Sequence, residues 1–218
     1  MRDFITFWLA GLLMCGGTAL ASERTDTRTV PAFDKVEASR GITVELVCGA
    51  EPTAVVSGSD ADVSDTRTTV NGRTLKVERG GSIFMNHHSD VHVRVTAPGP
   101  LYSVAVSTGS ELTAEPCALS TDHVDLTTST GATITAAVKT GRLTVEASTG
   151  STIHPLPGQR LDADEVKIHA STGADIRLCR AEHLQGRLTM GANVTIEEGK
   201  TSDVSTSMGA EVDRSPCS

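Results

Sequence analysis

The chain has 218 residues, a formal net charge of −8 and only 3% aromatic residues. An acidic balance disfavours nucleic acid and anionic lipid surfaces as partners, and so few aromatics exclude a core of ordinary aromatic-rich layers. Val, Ile, Leu, Ala, Thr, Ser and Gly remain, the chemistry of strands and turns.

Residues 1–21 read as a secretory signal peptide. Arg2 supplies the positive start, offset by Asp3; residues 4–13 form a short apolar run; Ala19, Leu20 and Ala21 make a small-x-small cleavage site before Ser22. The run is shorter than the ~20 apolar residues a membrane span needs. Cys15 also admits a lipoprotein signal, but Met14 stands where such signals carry a small residue. Cleavage after Ala21 is the reading taken, and no later segment is apolar enough to cross a membrane. Residues 22–218 then suit a single domain. Its charge is still −8, because Arg2 and Asp3 cancel.

The first half of that domain is irregular. Val36, Ala38, Ser39, Gly41, Ile42 and Val44 suggest one strand–corner–strand unit. Residues 60–65 suit a short helical turn. Val70-Asn71-Gly72-Arg73, followed by Leu75 and Val77, reads as a hairpin. Residues 80–89 read as a loop and residues 91–95 as a strand, ended by Pro98 and Pro100.

The second half is a repeat. Gly109, Gly131, Gly150, Gly173, Gly191 and Gly209 follow one another at 22, 19, 23, 18 and 18 residues. Two positions before each lies Ser107, Ser129, Ser148, Ser171, Thr189 or Ser207. A small residue follows each glycine, and three positions after it comes Leu112, Ile134, Ile153, Ile176, Val194 or Val212. The flanks alternate apolar and polar with period two, so each unit is strand, corner, strand, with one face buried and one wet. The glycine takes the positive φ of the corner, and the preceding Ser or Thr is expected to hydrogen-bond locally and hold the bend. One such unit cannot bury its apolar face alone, whereas stacked units can. The fold class expected is all-β, a parallel β-helix (β-solenoid) with a less regular N-terminal part. Propeller blades need ~40–45 residues per repeat, and leucine-rich repeats need an Asn or Cys column that is missing here. An antiparallel sandwich of hairpins is the second architecture, disfavoured by the shared phasing.

The run Val30-Pro31-Ala32-Phe33-Asp34-Lys35-Val36, then Gly41-Ile42-Thr43-Val44, resembles the start of the bacterial GIN-type domain. That family is described as the head of a "putative auto-transporter adhesin" (domain of unknown function 2807). Asn71 to Val77 and the recurrent Ser-Thr-Gly units resemble it too. The resemblance covers residues 29–213 and implies a right-handed β-helix in an exported protein. It carries over no catalytic residues.

Cys48, Cys117, Cys179 and Cys217 remain after cleavage. An even count in an exported chain suggests two disulfides with three possible connectivities. Strict stacking puts Cys179 and Cys217 two rungs apart, beyond disulfide reach, unless the tail folds back. Cys48–Cys117 with Cys179–Cys217 is the favoured pairing, and buried free thiols are the alternative. Met85, His87, His88 and His92 form the one metal-like group, with copper as the matching ion; a solvated loop tip is the commoner explanation, and no metal or other cofactor is expected. A polysaccharide-processing enzyme on a β-helix is the alternative function, with Asp125, Glu146 and Asp175 as acid–base candidates. The expectation is a non-enzymatic, adhesin-like envelope domain, in the periplasm or on the surface of a bacterium. It would bind a cell-envelope polysaccharide or another surface protein through its Thr- and Ser-rich outer columns.

Overall fold

The computed structural model describes residues 23–80 and 91–217. In chain order the elements are β1 (Glu23–Thr29), β2 (Lys35–Ser39), β3 (Thr43–Cys48), β4 (Thr53–Ser59), α1 (Asp60–Asp65), β5 (Thr66–Asn71), β6 (Thr74–Arg79) and β7 (His92–Ala97). Then come β8 (Ser103–Ser107), β9 (Glu111–Ala114), β10 (His123–Ser129), β11 (Thr133–Ala136) and β12 (Val138–Ala147). The last are β13 (Thr152–Pro155), β14 (Leu161–Ala170), β15 (Asp175–Leu188), β16 (Asn193–Thr206) and β17 (Glu211–Arg214). All belong to one sheet wound into a right-handed parallel β-helix.

Each repeat glycine turns the chain from a first face to a second. On the first face, parallel strands stack as β6, β2, β8, β10, β12, β14, β15 and β16. On the second they stack as β7, β3, β9, β11, β13, β15, β16 and β17. β12, β14, β15 and β16 are longer strands and close a third face, where Val138 stacks on Leu161 and Asp162 on Arg180. Leu112, Ile134, Ile153, Ile176 and Val194 stack in register on the second face, each at most 1% exposed. Across from them Val104, Leu126, Val145 and Ile168 are fully buried. The inward columns are therefore those the periodicity indicates. Each such side chain contributes ~1.5–3 kcal/mol of burial before entropy is set against it.

The irregular first half is the cap. β4 pairs antiparallel with β7, and β1 antiparallel with β4. β5 pairs antiparallel with β6 across the Gly72-Arg73 turn, with positive φ at Gly72, so the hairpin expected over Val70 to Arg73 is present. α1 lies where a helical turn is expected. Ser59 caps it by accepting from the Asp62 amide, and Val63 is fully buried beneath it. Arg28 donates to the Val63 and Thr66 carbonyls at 3.0 and 2.6 Å, and Arg79 pairs with Asp62 at 2.7 Å. Among the described residues this end of the stack thus leaves no parallel edge exposed. β2 and β3 form the early unit expected from Val36 to Val44. Their place is not at the end, however. They lie between the β6/β7 rung and the β8/β9 rung.

Both disulfides form. Cys48–Cys117 joins the end of β3 to the 3-10 turn at Pro116–Ala118, with Cα atoms 6.2 Å apart. Cys179–Cys217 brings the C-terminal tail back against β15, with Cα atoms 5.2 Å apart. The fold-back that this pairing requires is present. The Ser215 amide donates to the Ile196 carbonyl, and Cys217 returns across that rung.

Candidate functional site: a groove along the first face

The corners set the site. At each one the residue before the glycine also has positive φ: Thr108, Thr130, Thr149, Thr172, Met190 and Met208, at 52–55°. The glycines follow at 65–75°. Two successive positive φ values make the tight turn of the type I′ class. In several units the residue after the glycine donates its amide back to the residue two before it, as from Ala192 to the Thr189 carbonyl at 3.2 Å. Corner glycine amides also donate to the next rung's corner carbonyl at 2.9–3.0 Å, for example Gly150 to Thr172. The ladder therefore runs through the bend.

The serine expected to hold each bend does not do so. The side chains that bond inside the corner belong to the residue after the glycine. Ser151 Oγ accepts from the Ser148 amide at 3.1 Å and from Thr128 Oγ1 at 3.0 Å, and Ser110 Oγ accepts from the Ile42 amide at 3.2 Å. That position faces inward, where an unbonded hydroxyl would be costly. The serine two before the glycine faces outward.

These outward residues line a groove. Two depressions adjoin on the first face and share Thr127 and Ser129. One wall is the column Ser39, Ser107, Ser129, Ser148, Ser171 and Thr189. Among the described residues none of these six hydroxyls makes a side-chain hydrogen bond. Beside them, in register, run Lys76, Glu37, Ala105, Thr127, Glu146, His169 and Arg187. At ~4.8 Å per rung, the groove extends ~29 Å along the axis. Lys76 and Glu37 pair at 2.9 Å, and the ion pair with its hydrogen bond raises the lysine's pKa.

The residues named from sequence divide. Asp125 and Glu146 do share the first face, offset by one rung and two residues. Asp175 lies round the corner on the second face, opposite Thr152 and Asn193. The three carboxylates do not converge on one atom. His92 is exposed on β7, while Met85, His87 and His88 lie outside the described residues. Among the described residues one group of three potential metal ligands gathers, Cys48, Glu115 and Cys117. Its sulfurs are joined in the disulfide, so it offers no thiolate. The stacked pair of Tyr102 and His123, centroids 4.8 Å apart, was not foreseen. It sits on the flank of the same face, where Asp125 aligns with Ser103.

A family model described as "Putative auto-transporter adhesin, head GIN domain" matches residues 32–213. The chain belongs to this family. The structure of a "putative adhesin" from Bacteroides fragilis superposes with a TM-score of 0.65 at 14% identity, covering 88% of this chain and 95% of that one. Two proteins from Parabacteroides distasonis share the fold. One is titled a "putative lipid binding protein", with a TM-score of 0.54 and 10% identity over 88% of this chain and 96% of that one. The other is a "putative adhesin", with a TM-score of 0.53 and 12% identity over 89% and 98%. No curated protein matches the chain. Identities this low speak to the fold alone. The family and the disulfides together point to an exported or surface protein, and no helix among the described residues is long and apolar enough to cross a membrane.

Proposed function

We propose that this protein is an exported, adhesin-like binding module whose ligand is an extended cell-envelope polysaccharide lying in the first-face groove. The observation that carries this reading is the hydroxyl ladder of Ser39 to Thr189. Half-buried hydroxyls held at a fixed spacing, and bonded to nothing among the described residues, are pre-organised partners for a chain of hydroxyls. Many weak contacts along ~29 Å suit retention better than turnover. Residues 1–21 act as the signal peptide, and the mature single domain works in the periplasm or on the cell surface of a bacterium. A lipid ligand is disfavoured by the packing: the axis is filled by fully buried side chains such as Ile134, Ile153 and Ile168, which leaves no internal cavity along it for an acyl chain among the described residues.

The test uses purified, oxidised protein and a panel of bacterial and host polysaccharides. Both retention and release of new chain ends are recorded. Retention without new ends is expected, and it should be lost in Thr127→Trp, which fills the junction of the two depressions. New chain ends would instead establish the enzyme reading and turn attention to Asp125 and Glu146.

A further inference from the structure

We propose that the C-terminal half of the groove recognises an anionic substituent, a carboxylate or sulfate carried by the polysaccharide, through Lys167, His169 and Arg187. The inference rests on the groove being the binding site and names the charge of what it holds. Eight basic side chains of this acidic protein are already engaged. Arg24, Arg28, Arg73, Lys76, Arg79, Arg94, Arg160 and Arg180 each lie within 4 Å of a carboxylate. Among the described residues, Lys167 and Arg187 stand with Lys35, Arg40, Arg67, Lys139, Arg142 and Arg177 in having no carboxylate within ion-pair distance, and of these eight Arg187 alone lines the two depressions.

Their placement brings the three together. Lys167 and His169 are two residues apart on β14, so they point the same way. Arg187 on β15 is the direct register neighbour of His169. All three are exposed, and His169 and Arg187 line the groove itself, beside Ser171 and Thr189. Gln185 and Thr144 flank Lys167 on the neighbouring strands. Carboxylates surround the cluster without entering it. Glu146 lies on the side of His169 away from Arg187, Glu165 two residues before Lys167, and Asp203 beside Gln185. That ring confines favourable anion placement to one short stretch, so it fixes where along the groove a charged unit sits. The N-terminal half differs, because its lysine, Lys76, is already neutralised by Glu37. An ammonium and a guanidinium, with an imidazole N–H between them, suit oxygens of a single anionic group.

The experiment compares three soluble polymers with one backbone: hydroxyethylcellulose, carboxymethylcellulose and cellulose sulfate. Dissociation constants are measured for the wild type, for Lys167→Gln/Arg187→Gln and for Thr127→Trp, with Ser129→Phe as a second groove-filling variant. Melting curves confirm that each is folded. The wild type should bind at least one anionic polymer about tenfold more tightly than the neutral one, the scale of one charge-assisted hydrogen bond. That preference should fall with added salt and vanish in the double variant. Carboxymethylcellulose against cellulose sulfate tells which anion fits. Equal binding of all three polymers by the wild type overturns the inference and leaves the groove reading standing. A preference that survives in Lys167→Gln/Arg187→Gln does the same. Undiminished binding by both groove-filling variants, or no binding of any polymer, overturns the groove reading and the inference with it.

Discussion

At the residue scale the corner threonines are the main anomaly. Thr149 sits at φ 55°, where a Cβ costs about 1–2 kcal/mol and a β-branched residue is a true outlier. Threonine persists there because the ladder on either side over-determines the bend: Gly131 donates to the Thr149 carbonyl, and Gly150 to that of Thr172. Asparagine visits this region readily. Thr149→Asn should therefore raise unfolding stability by about 1 kcal/mol, read as a higher denaturant midpoint with the same slope. A lower midpoint would mean that the threonine side chain contributes more than its strain costs. The Ser-x-Gly phase that locates these corners was legible from the sequence alone. Which serine bonds inward was not. Parity fixes the side a residue faces only once the number of residues in the turn is known. Two positive-φ residues, rather than the single glycine expected, place the residue after the glycine inside.

At the element scale, the second half of the chain could be read because each rung there stacks on the one before it, so sequence order is spatial order. The first half could not. β2 and β3 are the first rung in the chain, yet they enter the stack between β6/β7 and β8/β9. A period detects that units share a register; it does not say which units touch. Gly186 illustrates the other limit. It breaks the inward apolar column, and the reason lies in its neighbour: a Cβ there would stand 1.8 Å from the Ile168 carbonyl oxygen. The strand is irregular just before it, with register shifts between Ala181 and Gln185. Two alanine substitutions separate close approach from turn conformation. Gly131→Ala, with open space around its Cβ and φ +67°, should cost about 1–2 kcal/mol. Gly186→Ala meets backbone that cannot swing away, and should exceed the ~3 kcal/mol that bounds most single substitutions. Similar costs for the two, in urea unfolding, would contradict the close packing of β14 on β15.

At the scale of the whole molecule the two ends are unlike. The N-terminal end is closed by β1, β4, β5 and α1. The C-terminal rung, made of the last residues of β16 and of β17, pairs with no further strand among the described residues. Val204, Ala210 and Val212 occupy inward columns yet are only partly buried, and Met208 is 77% exposed. Solenoid stability is roughly a sum of rung and nearest-neighbour terms, so an uncovered last rung should open alone. Its outward carboxylates, Asp203, Glu211 and Asp213, set like charges along the bare edge, which disfavours pairing with a second such edge. What holds this rung is the Cys179–Cys217 disulfide, which ties the tail across it to a fully buried cysteine on β15. Removing a disulfide typically costs about 2–4 kcal/mol, but here the loss should stay local. In Cys179→Ser/Cys217→Ser, hydrogen exchange should speed up across residues 203–214 while the amides of β8 to β13 keep wild-type protection. Cys48→Ser/Cys117→Ser should behave differently. That bridge links β3 to the turn after β9 across a separation of 69 residues, in the middle of the stack, so its loss should lower protection on both sides of the joint. If both double variants lost protection uniformly along the chain, the solenoid would be unfolding as one cooperative unit, and the end-by-end account of its stability would be wrong.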